Sequence, residues 1–154
     1  MYSKINITNF ENRGKLIHYY LFCLYLFYFS LTPVFANNEA DVIAAEKSVR
    51  TWLELVDKQN YDKSWEVSAN LFKAQVKKRQ WAPKINALRT KVGLLQSRTK
   101  KYSKFMTELP GAPIGKYVVF QYKSSFKNLQ TATETIAPMK DSDGKWRVSR
   151  YFIN

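Results

Sequence analysis

At Gly93 the hydrophobic rhythm of this chain changes, and no other feature limits its possible folds as much. Before that point apolar residues recur every three or four positions: Ala45, Val49, Trp52, Leu53 and Val56, then Trp81, Ile85, Leu88 and Val92. After it they alternate. Val118, Phe120 and Tyr122 stand against Tyr117, Val119 and Gln121; Trp146, Val148, Arg150 and Phe152 stand against Arg147, Ser149, Tyr151 and Ile153. The first spacing puts side chains on one stripe of a helix, the second on one face of a strand. Helices followed by strands make an α+β order.

The first helix is predicted over Glu39 to Asp57, where Gln59-Asn60 breaks the pattern. A second covers Tyr61 or Asp62 to about Ala69, with Asp62 suited to the positive end of the helix dipole and Trp65 and Ala69 on one face. The third spans about Lys78 to Val92. Pro83 is tolerable there if it falls in the first turn, where its missing N–H has no partner to lose, and Gly93 is the stop. On this reading Lys84 and Lys91 flank the apolar stripe on one side and Arg89 on the other. Four strands follow: Leu95–Met106, Lys116–Phe126, Leu129–Met139 and Lys145–Ile153. Lys127-Asn128 and Asp141-Ser142-Asp143-Gly144 are tight hairpins, and Leu109–Gly115 is a longer loop rich in turn residues. The simplest packing lays three helices on a curved antiparallel sheet of about four strands. It resembles nuclear-transport-factor-2-like and cystatin-like cones, which implies a pocket between sheet and helices and no function by itself.

The chemistry is narrowed by what is scarce. The single histidine, His18, and the single cysteine, Cys23, both lie near the N-terminus. Lys4, Arg13 and Lys15 precede an apolar run from Leu16 to Leu31, and Thr32-Pro33-Val34-Phe35-Ala36 ends on a small residue. This is a signal-peptide pattern and predicts export to the periplasm or beyond, with cleavage near Ala36. The alternative is an uncleaved anchor over residues 16–31, close to the roughly 17–25 residues that a spanning helix needs. A lipidation signal is disfavoured by the bulky Phe22 before Cys23. Residues 37–154 then form one domain without thiol or imidazole. That excludes a disulfide framework, a Ser-His-Asp or Cys-His site and a Cys/His zinc site. No Gly-rich phosphate loop is present, and no cofactor or metal is expected.

Charge is uneven. After Ala36 the chain has 22 Lys and Arg against 11 Asp and Glu, and all the excess lies in residues 67–107, which hold eleven bases and no acid. Lys84, Arg89, Lys91, Arg98, Lys100, Lys101 and Lys104 are the candidate anion-binding residues. Lys100-Lys101-Tyr102 and Lys104-Phe105 interleave base with aromatic. For an exported chain the expected partner is an anionic membrane surface, an envelope polymer or an acidic protein, and not nucleic acid. The competing reading is a solvated face that merely keeps the protein soluble.

Several stretches resemble a family of small exported bacterial proteins, domain of unknown function 4019. They are Ala44-Ala45-Glu46-Lys47, Trp52-Leu53-Glu54-Leu55-Val56-Asp57, Tyr61-Asp62-Lys63-Ser64-Trp65, Phe72-Lys73, Gln80-Trp81, Ser97-Arg98, Leu109-Pro110-Gly111-Ala112-Pro113, Tyr117-Val118-Val119, Glu134-Thr135, Asp143-Gly144-Lys145-Trp146-Arg147-Val148 and Tyr151-Phe152-Ile153. The resemblance implies a single exported domain and supplies no catalytic residue. Ile114 and Arg150 depart from its usual pattern.

Glu134 is the one charge of its strand and shares a face with Ala132 and Ile136. On the inner face it needs a cationic or hydrogen-bonding partner, for which Arg98 and Arg147 are the candidates. A carboxylate in an apolar cone could instead contact a small ligand or act as a general base, which would make the protein a pocket protein or enzyme. Trp52, Trp65, Trp81 and Trp146 read as core, with Trp65 and Trp146 the exceptions that could line a pocket. Asp141-Ser142-Asp143-Gly144 reads as a turn in preference to a calcium loop, since it lacks the third acid and the distant glutamate. Pairing of two copies through the exposed sheet face is a further expectation.

Overall fold

A computed structural model describes residues 35–154, with side chains from Asn38 onward. The expected leader, with His18, Cys23 and the apolar run 16–31, lies outside the described residues. Among those described, no helix is long and apolar enough to cross a membrane.

Among the described residues four helices precede the sheet: α1 (Phe35–Asp57), α2 (Tyr61–Glu66), α3 (Asn70–Gln75) and α4 (Lys78–Val92). The expectation of three therefore needs correction. The second helix stops at Glu66 because the chain is drawn away to the sheet, where the Ala69 N–H donates to the Val148 carbonyl at 2.9 Å. A separate six-residue helix then turns Phe72 into the core.

Helix α1 ends in a tight left-handed turn, with Gln59 at φ 59° and the Asn60 N–H bonded to the Leu55 carbonyl. Helix α4 opens with the Gln80 side chain accepting from the Lys77 N–H at 3.3 Å. Pro83 is its sixth residue, past the first turn. It forgoes the bond to the Arg79 carbonyl, and both residues are exposed, so water can serve that oxygen. Gly93 ends α4 at φ 83°, a conformation that strains any side chain, and a Cβ there would also crowd the Lys127 Cβ at 3.0 Å.

The strands β1 (Leu95–Met106), β2 (Tyr117–Phe126), β3 (Leu129–Lys140) and β4 (Trp146–Ile153) pair antiparallel in sequence order. Their bounds match the alternation to within one residue. The inner face holds Val118, Phe120, Ile136 and Val148, packed against Ala45, Val49, Trp52 and Val56 of α1 and Trp81 and Ile85 of α4. A smaller cluster of Val92, Phe126 and Ala132 closes one end. Among the described residues every buried member of both clusters lies between Ala45 and Val148, within the compact unit of residues 37–154, which therefore contains a core of its own. Pro138 sits in β3 where the register with β4 shifts, a place where a missing N–H is tolerated. Ser149 fills the irregularity by donating to the Ala137 carbonyl at 2.6 Å.

Candidate functional site

Glu134 faces inward and is fully buried. One carboxylate oxygen accepts from Arg98 Nη2 at 3.0 Å and Tyr151 Oη at 2.7 Å; the other accepts from Arg98 Nε and Ser124 Oγ. The other side of Arg98 is bidentate to Asp57 at the end of α1, at 2.6 and 3.1 Å, and Arg89 of α4 donates to the same carboxylate at 3.0 Å. Arg98 thus bridges two acids and Arg89 joins one of them, tying together α1, α4 and two strands of the sheet, which is the kind of pairing that burial of charge demands. Burial alone would pull the Arg98 guanidinium down, but its bonds to Asp57 and Glu134 outweigh that and hold it above its ordinary value. Burial, reinforced by Glu134, pushes the Tyr151 hydroxyl well up, and burial with Glu46 pushes Tyr122 up to about 12.

Arg147 is not part of this cluster. It binds Asp141 at 2.9 Å and Asp143 at 2.7 Å across the hairpin, since those acids are its near neighbours. The bond to Arg147 holds the Asp143 carboxyl far below its usual range. The turn closes on itself, with the Gly144 N–H donating to the Asp141 carbonyl.

The tryptophans are also committed within the protein. Trp52 donates to the Ser64 carbonyl and Ser68, Trp81 to Ser64, Trp65 to the Val76 carbonyl, and Trp146 to Asp41. Of the two pocket candidates, Trp146 borders a cavity of about 540 Å³ together with Trp52, Lys47 and Lys145. Trp65 is half-buried beneath Lys73, whose ammonium lies 5.8 Å from the ring centre.

The seven anion-binding candidates do not form one surface. Arg89 and Arg98 lie in the buried cluster, which corrects the expectation that Arg89 merely flanks the stripe. Lys100 reaches back to Glu46 of α1 at 2.7 Å. Lys84 and Lys91 are exposed on α4, and Lys101 and Lys104 are exposed on β1.

The alternation of the sheet gathers a different set. Glu134 is the only acid in the four strands, so the outer face has none. Across that face Tyr102, Gln121, Thr135 and Phe152 align in one row, with Tyr102 44 % and Phe152 48 % exposed. Lys104 stands one row away opposite Val119, and Lys123 stands on the other side between Thr99 and Thr133. Arg150, opposite Ala137, adds a charge whose Nη1 donates to the Pro110 carbonyl at 2.8 Å and pins the β1–β2 loop. Lys123 and Arg150 are missed by counting bases in residues 67–107, although the period-two pattern already sets Lys123 on the face of Gln121.

A family profile, Protein of unknown function (DUF4019), matches residues 48–151. The chain belongs to this family. The matched stretch runs from within α1 to β4 and contains every member of the buried cluster, from Asp57 to Tyr151. Asp41 and Glu46 of α1, which meet lysines of the sheet, lie before it. Comparison with curated proteins gives no match.

Proposed function

We propose that this DUF4019 protein is an exported, non-enzymatic binding domain of the cell envelope, and that it engages an anionic surface with the outer face of its sheet. The observation that carries the reading is an acid-free sheet face on which Lys104, Lys123 and Arg150 surround the exposed Tyr102 and Phe152. Lysines near an anionic leaflet add attraction that falls off within a Debye length, and aromatic rings suit the headgroup level. In fold terms we place the domain with nuclear-transport-factor-2-like cones, because its helices all pack on the inner face of one antiparallel sheet. A catalytic or ligand-binding role for Glu134 is disfavoured: four donors already occupy its two oxygens. Export rests on the leader pattern, and the mass of the protein recovered from the envelope fraction tests it: cleavage near Ala36 removes the first 36 residues.

The test of binding is co-sedimentation of residues 37–154 with anionic vesicles at low and high salt. Binding is expected at low salt and loss at high salt. Exchange of Lys101, Lys104 and Lys123 for Gln weakens it strongly, while exchange of Lys84 and Lys91 changes it little. A triple variant that sediments like the parent ends the proposal.

A further inference from the structure

Strands β1 and β4 are the two edges of the sheet. The β1 edge carries Lys100, Lys101 and Lys104 and two register shifts, devices that discourage further pairing. The β4 edge is different. Its Val148 carbonyl is taken by Ala69. Further on, Asn154 exchanges both backbone bonds with Thr133, at 2.8 and 3.0 Å. Antiparallel alternation therefore turns the N–H and C=O groups of Tyr151 and Ile153 away from β3. On that side runs a groove of about 590 Å³, walled by Phe72, Val76, Trp81, Ile85 and Leu88. Lys84 and Arg150 line it, and no Asp or Glu does.

The backbone decides between occupants. An acyl chain would fill the groove but leave those edge groups buried without partners, which costs free energy for each of them. A strand pairs with them. We propose that the β4 edge accepts an extended peptide by strand addition, with apolar residues at alternate positions and at least one Asp or Glu to meet the cations. Arg150 and Phe152 border both this groove and the outer face, but Lys84 belongs to the groove alone and Lys104 and Lys123 to the outer face alone, so variants at those lysines tell the two readings apart.

The experiment selects binders to residues 37–154 from a phage-displayed library of random decapeptides, then synthesises the best one for titration and amide hydrogen exchange. Alternating apolar residues with an acid are expected, together with at least tenfold slower exchange at Tyr151 and Ile153 and none at the β1 edge. Ile153→Pro removes one edge donor, and a tenfold or greater loss of affinity is expected. Lys84→Glu, on an exposed helix face, lowers affinity several-fold and serves if the proline variant does not fold. Lys104→Gln leaves peptide affinity unchanged. The proposal is overturned if no peptide is selected, if exchange at Tyr151 and Ile153 is unmoved, or if Lys84→Glu binds as well as the parent. It is equally overturned if these amides are protected without peptide in a protein whose mass doubles with concentration, for then a second copy is the occupant.

Discussion

The two faces of the sheet use charge in opposite ways. On the inner face Arg98 and Glu134 are locked together, with Asp57, Ser124 and Tyr151 completing their bonds and Arg89 donating to Asp57. On the outer face Lys104 and Lys123 have no acid within the strands to meet. The same residue classes therefore serve the fold in one place and leave charge available to a partner in the other. Net charge describes neither. Inner-face substitutions should act on stability, and outer-face substitutions on association.

The largest expected effect is on the inside. Glu134→Ala leaves Arg98 half-answered in a buried site and should cost about 3–5 kcal/mol, measured by urea unfolding. A loss below 1 kcal/mol would break the comparison, because the inner cluster would then be no more than decoration. Replacing both partners, Arg98→Met with Glu134→Leu, should cost clearly less than the sum of the single changes, since no unpaired charge stays behind.

A smaller effect is set by pH. Tyr122, ordinarily near 10, is held at about 12 by burial, and burial holds Tyr151 well above its ordinary value too. The folded state keeps these protons where the unfolded state releases them. Their contribution is complete below pH 10 and is lost as pH rises through the folded values. Stability should decline by about 2 kcal/mol between pH 10 and 12 on account of Tyr122, with Tyr122→Phe flattening that slope. A slope unchanged in the phenylalanine variant would show that other groups set the alkaline limit.

The smallest effect on stability belongs to the outer face. Lys104→Gln with Lys123→Gln should move unfolding by no more than about 0.5 kcal/mol. The same pair should reduce sedimentation with anionic vesicles at low salt. A stable variant with reduced binding sharpens the contrast between the faces; an unstable one erases it.

Much of the fold is legible in the rhythm of the chain. The bounds of α4 follow from Trp81, Ile85 and Val92 with the glycine stop, and the strands follow from their alternation. Helix α3 is too short for a period to register, and only Phe72 in it is buried. The buried cluster is half legible. Arg98 opposes Ser124 on the inner face, which agrees with one of the two partners read for Glu134. Arg147 fails as the other because two acids in its own hairpin are nearer. Arg89 lies four residues after Ile85 and eight after Trp81, on the apolar stripe itself. Charge counting hides that spacing, although Asp57 repeats it after Val49 and Leu53 of α1. A base at a core position signals a buried partner more strongly than it signals a surface.

The packing of Trp52 and Trp81, with ring centres 5.9 Å apart, also gives the protein an optical handle. Two indoles that close couple their transitions, so near-ultraviolet circular dichroism should show a band that vanishes on unfolding. Trp81 is also a wall of the β4 groove. Its emission should respond when a peptide displaces water there, so occupancy can be followed without a label.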